Sequence, residues 1–192
     1  MPATFRTSNP VFETDPALPH VVLVGLPGAG KTVVGEGVSV LVRRPFLDLD
    51  REIERREAMS VSEIFAQQGE PAFRAMERKV TEELRETGGM VLSPGGGWIA
   101  DAGNVALLRP PARIIYLRVR PETALARLGP ERATRPLLQR PDPLGELKRL
   151  FEARRSAYEG ADVTLDTEQL SVEQVINMVA EIIGRDGGAL VS

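Results

Sequence analysis

The stretch that decides the fold is Val21-Val22-Leu23-Val24-Gly25-Leu26-Pro27-Gly28-Ala29-Gly30-Lys31-Thr32. Its first four residues form an apolar, mostly β-branched run that stops at a glycine, the pattern of a buried strand. The next eight fit G-x-x-x-x-G-K-[ST], and an amphipathic segment follows near 31–42. Strand, glycine loop and helix in that order make a phosphate cradle. Glycines let successive N–H groups turn inward, and the following helix adds the positive end of its dipole. Lys31 supplies a point charge for β and γ phosphates, and Thr32 a hydroxyl for Mg²⁺. A glycine turn that only ends a strand is the plainer reading, but a strand before it and a helix after it argue against that. The loop therefore implies a nucleoside triphosphate and Mg²⁺ without naming the phosphoryl acceptor.

Outward from the loop, short apolar runs recur at 45–50, 90–93, 113–117 and 162–165. Helical patterns lie between them near 60–86, 121–128, 144–158 and 171–184. Strands alternating with helices predict an α/β protein with a parallel sheet covered on both faces. Ligands in such sheets sit beyond the carboxyl ends of the strands, where the glycine and carboxylate clusters of this chain fall.

With 192 residues, the chain has the length of one domain. Its 42% hydrophobic and 27% charged residues exclude a disordered chain. No apolar run approaches the ~18 residues of a membrane span. A net charge of −3 argues against broad nucleic-acid or membrane binding. With no cysteine and one histidine, His20, thiolate catalysis and multi-His zinc sites are excluded. Chemistry must run on carboxylates, Lys, Arg, hydroxyls and backbone amides. Residues 1–18, with three prolines and no secretory apolar core, are expected as a flexible tail, and so are 186–192. A single domain is expected over 19–185.

Asp48-Leu49-Asp50 ends the second strand run, where alternation predicts both carboxylates on one side; Asp50 also suits the N-cap of a helix over Arg51–Arg56. Arg74 and Glu77 are three apart on a helix and can pair, which is ordinarily a surface ion pair of small worth. Gly95-Gly96-Gly97 offers either close backbone approach to a ligand or a sharp turn. Trp98 beside it either lines a pocket or packs beneath one.

The order of phosphate loop, Asp48-Leu49-Asp50, Phe73-Arg74-Ala75-Met76-Glu77, Gly95-Gly96-Gly97, Arg135-Pro136-Leu137-Leu138 and Arg154-x-x-x-Tyr158 resembles the shikimate kinases, from about Val21 to about Ile183. The resemblance implies a three-layer nucleoside-monophosphate-kinase-like fold, with a five-stranded parallel sheet in order 2-3-1-4-5. It also implies transfer of the ATP γ-phosphate to the 3-hydroxyl of shikimate, a step toward chorismate and the aromatic amino acids. By the same resemblance Gly28, Ala29, Gly30, Lys31, Thr32 and Val33 bind ATP, and Thr32 and, through water, Asp48 hold Mg²⁺. Asp50 binds shikimate hydroxyls and is the candidate base. Arg74, oriented by Glu77, and Arg154 hold the carboxylate, and Gly96 and Gly97 give backbone contacts. Phe65 and Phe73 are apolar walls of that pocket. Arg135 closes over the phosphates from a lid at about 125–142. Arg155 adjoins Arg154, but the spacing to Tyr158 favours Arg154. A cytoplasmic monomer without nucleic-acid or membrane partners is expected. A gluconate kinase of the same fold shares the loop with less need of two arginines, and a non-catalytic relative would usually lose Lys31, Asp50 or Arg135.

Overall fold

A computed structural model of the chain describes residues 5, 7, 12–129, 138 and 140–187. Strand β1 (Val21–Val24) is buried along its whole length and takes the central place of a five-stranded sheet. The others are β2 (Phe46–Asp48), β3 (Val91–Ser93), β4 (Arg113–Arg118) and β5 (Val163–Asp166). Their order is β2-β3-β1-β4-β5 and every pairing is parallel. In-register partners such as Val22 with Leu92 and Val22 with Ile114 stack apolar side chains through the middle of the sheet. All are at most 1% exposed, as expected for a parallel sheet whose faces are both covered.

The covering helices are α1 (Lys31–Val42), α2 (Leu49–Glu57), α3 (Val61–Leu84), α4 (Ala102–Leu108), α5 (Pro121–Leu128), α6 (Pro143–Glu159) and α7 (Val172–Gly187). Gly35 and Gly37 let α1 pack closely: a Cβ at Gly35 would clash with the edge of the Phe46 ring, and one at Gly37 with the Cδ1 end of Ile176 of α7. A smaller apolar cluster joins Leu128, Leu138 and Leu147.

Five features depart from or refine the sequence reading. The second strand stops at Asp48, not at Asp50. Asp48, not Asp50, is the N-cap of α2, accepting from the Arg51 N–H at 3.2 Å; Asp50 lies inside the first turn. The cause is the apolar pair Leu49 and Ile53, buried at helical spacing, which starts the helix two residues early. Helix α4, unforeseen, is short and weakly periodic, and is started by Asp101, which accepts from the Gly103 and Asn104 N–H groups. The long helix over 60–86 begins with a capping box between Ser60 and Glu63 and is broken at Gly69 (φ 84°, ψ 167°), two residues ahead of Pro71. Within the expected N-terminal tail, Asp15 to Leu18 form a turn, and the Leu18 carbonyl accepts from the Gly89 N–H at 2.8 Å.

Candidate active site

The phosphate loop is shaped by three glycines at positive φ: Gly25 (154°), Gly28 (85°) and Gly30 (88°). Gly30 is the left-handed N-cap of α1. Gly28 has no room for a side chain either, because a Cβ there would collide with the carbonyl oxygen of Ala124 in α5 and lie 2.9 Å from its carbonyl carbon. Lys31 arches back over the loop and donates to the Gly25 and Leu26 carbonyls at 3.0 and 3.2 Å. The Ala29 N–H closes the loop on the Leu26 carbonyl at 3.0 Å, and the loop leads into the start of α1 with a cation held beside it.

Thr32 donates its hydroxyl to Asp48 at 2.8 Å, joining the first turn of α1 to the end of β2. A hydroxyl and a carboxylate side by side are the hard oxygen donors that Mg²⁺ prefers. Among the described residues no group of three or more His, Cys, Asp or Glu is placed to hold a metal, so a cation here would draw its remaining oxygens from phosphate and water.

The turn after β3 is where the rest of the site converges. A Cβ on Gly95 would lie 2.6 Å from Asp50 Oδ1. One on Gly96 would lie 3.1 Å from Arg154 Nη1 and 3.7 Å from the Gly25 carbonyl oxygen. One on Gly97 would lie 2.6 Å from the guanidinium carbon of Arg74. Asp50 from α2, Arg154 from α6 and Arg74 from α3 therefore lie against three consecutive glycines, next to the phosphate loop.

Each arginine is held by a neighbour. Arg74 donates to Glu77 through Nη1 at 3.0 Å and to Glu70 through Nη2 at 2.9 Å. Glu77 is fully buried; burial pushes its carboxyl up to about 7, against the pull of Arg74. Arg154 lies beside the Tyr158 hydroxyl, whose pKa burial raises against the pull of that guanidinium. The Tyr158 hydroxyl reaches the Gly96 carbonyl at 3.5 Å, and its ring stacks on Tyr116 with centroids 4.7 Å apart. Phe65 and Phe73 pack at 5.1 Å, with the Arg74 guanidinium 5.4 Å from the Phe73 ring centre. Trp98 packs beneath the site: it is wholly buried and donates to Thr81 at 3.0 Å.

Lys31, Thr32, Asp48, Asp50, Arg74, Gly96, Gly97 and Arg154 are thus gathered at one end of the sheet. Arg135 and half of the lid segment lie outside the described residues. Glu70, which shares Arg74, was not singled out. Gly95, read only as part of the glycine turn, abuts Asp50, and Tyr158, read only for its spacing, lies beside Arg154. The Glu70 signal was present as an i, i+4 spacing to Arg74 but sits beside the helix-breaking Gly69 and Pro71.

A family model described as shikimate kinase matches residues 27–184. The chain belongs to the shikimate kinase family. A shikimate kinase of Burkholderia thailandensis is 41% identical over 164 residues, covering 84% of this chain and 89% of that relative. One of Cereibacter sphaeroides is 39% identical over 163 residues, 85% of this chain and 81% of the relative. The shikimate kinase of Acinetobacter baumannii, solved in complex with shikimate, superposes with a TM-score of 0.83 at 36% identity, covering 90% of this chain and 96% of that one. A Sinorhizobium meliloti gluconokinase shares the fold at a TM-score of 0.58 and 15% identity. The family is one of ATP-dependent kinases. Among the described residues no helix is long and apolar enough to cross a membrane.

Proposed function

We propose that this chain transfers the γ-phosphate of ATP to the 3-hydroxyl of shikimate, as a cytoplasmic monomer with one kinase domain over 19–185 and a lid near 125–142. One observation carries the reading: a carboxylate and two guanidiniums from three helices converge on the Gly95–Gly97 backbone beside the phosphate loop. Two arginines facing one pocket select a carboxylate, and a neighbouring Asp selects a hydroxyl.

Phosphoryl transfer asks for positioning and charge neutralisation. The loop amides, from Gly28 to Val33, and Lys31 hold the phosphates. Thr32, and Asp48 through water, would hold Mg²⁺, which neutralises charge on the β and γ phosphates. Arg74 and Arg154 fix the acceptor by its carboxylate, with Gly96 and Gly97 lining its ring. Asp50 orients the hydroxyl and accepts its proton late in the transfer. Arg135 closes over the phosphates and excludes water.

The test is ADP release with MgATP across shikimate, its neutral amide and gluconate. Shikimate alone should give sustained turnover; gluconate turnover without shikimate turnover overturns the reading. Arg135→Ala should lower kcat far more than it raises the shikimate KM. The opposite split makes Arg135 an acceptor clamp.

A further inference from the structure

Arg74 serves more negative charge than it carries. Glu70 accepts from its Nε at 3.3 Å and its Nη2 at 2.9 Å, and Glu77 accepts from its Nη1 at 3.0 Å. Glu77 is shut off from solvent, and its second oxygen, Oε1, is buried without a hydrogen-bond partner. Two like charges bear on it from other elements, Asp50 of α2 and Asp101 ahead of α4. Arg78, on its own helix, is turned to Asp101 at 3.1 Å. Thr81 donates to the Glu77 backbone carbonyl and leaves the carboxylate alone. The cation that keeps Glu77 ionised is therefore Arg74, and burial already sets the carboxyl near neutrality.

We propose that seating the acceptor carboxylate on Arg74 drives a proton onto Glu77, so that acceptor binding takes up a proton from solvent. The inference rests on the reading that Arg74 receives the acceptor's carboxylate. A further anion on the same guanidinium weakens its hold on Glu77 and adds like-charge repulsion, and both favour the neutral acid. The proton comes from the acid form of the buffer and bonds to a carboxyl oxygen of Glu77. Its other oxygen still accepts from Arg74, so the guanidinium stays in place. By linkage, acceptor affinity rises as pH falls through the window just above 7. Glu77 is a positioning residue in this scheme and does not touch the reacting atoms.

Calorimetric titration of shikimate into the full chain at pH 7.5, in HEPES and in Tris, tests it. The shikimate carboxyl, with an ordinary value near ~4, is ionised throughout. The binding heats should differ in proportion to the buffers' ionisation heats, giving uptake of roughly half a proton that fades toward both lower and higher pH. Glu77→Gln, which keeps an acceptor for Arg74, should give equal heats. Equal heats in the wild type, or uptake that persists in Glu77→Gln, overturn the proposal. If that variant fails to fold, Asp101→Asn replaces it. Asparagine still caps α4 but removes a like charge from Glu77, so the uptake maximum should move to lower pH; an unmoved maximum overturns the proposal. Binding with buffer-independent heat sinks only the proton inference. No binding of shikimate sinks the assignment of the acceptor, and the inference with it.

Discussion

The two halves of the site are built in opposite ways. The proposed phosphate half is one contiguous segment, Gly25 to Thr32, which offers mainly backbone amides and whose shape is set by three positive-φ glycines. The acceptor half is made of side chains from three helices, brought onto a turn that follows a different strand. Backbone amides presented by a fixed loop suit a ligand part that many enzymes share. Side chains on separate elements suit the part that must be told apart from its analogues. The difference predicts that damage to the first half lowers turnover, whereas damage to the second changes which acceptor is used.

The largest effect tests the phosphate half. Lys31→Ala should cost at least ~100-fold in kcat, because one preorganised charge at the transferring group is lost. Its melting temperature should stay near the wild-type value. A folded variant with normal turnover breaks the comparison at its stronger end.

On the acceptor side, Arg74→Lys keeps the charge and loses the planar fork. The shikimate KM should rise about 10- to 100-fold, the worth of one charge-assisted contact, with the ATP KM little changed. The neutral amide of shikimate is the control: the variant should discriminate against it less than the wild type does. A parallel rise in both KM values would mean the halves are not separable.

A smaller effect comes from Gly97→Ala. Gly97 has ordinary backbone angles (φ −86°, ψ −19°), so alanine fits the backbone, and the atoms nearest its methyl all belong to the Arg74 guanidinium. The shikimate KM should rise about tenfold, roughly one such contact weakened. A drop in melting temperature with unchanged KM would assign that turn to folding instead.

The smallest effect lies away from both halves. His20 is buried and neutral, between the Leu84 carbonyl at 3.0 Å and the Met90 N–H at 3.3 Å, and burial lowers its pKa below 6.5. A folded value below the unfolded one makes its contribution present above pH 6.5 and lost as pH falls below that value. The stability advantage of wild type over His20→Gln should therefore narrow as pH drops from 7 to 5. A gap that widens sets the histidine's charge state wrong.

How much was legible follows the same division. The phosphate loop was plain because its meaning is carried by neighbours in sequence, and the alternation of strands and helices gave the parallel sheet. Asp50, Arg74, Gly96 and Arg154 span more than half the chain, and spacing alone cannot bring them together; the ordered resemblance did. The reading failed at local boundaries. Asp48 and Asp50 are equally good caps by type, and only the burial of Leu49 and Ile53 decides between them. Helix α4 has seven residues, too few to establish a period. Glu70 escaped notice because it sits between the helix-breaking Gly69 and Pro71, and only the fold brings Gly95 against Asp50.

The three-glycine turn also limits how this pocket can be remodelled. Glycine is the smallest residue, so the floor cannot be lowered by substitution: every change at 95, 96 or 97 pushes on Asp50, Arg154 or Arg74 in turn. From that side the pocket can only shrink. Room for a bulkier acceptor has to be cut from elsewhere, and the Phe65–Phe73 pair offers the removable volume, since Phe65 is only partly buried. A chain selected for larger acceptors would accumulate its changes at those two aromatic positions while the glycines stayed as they are.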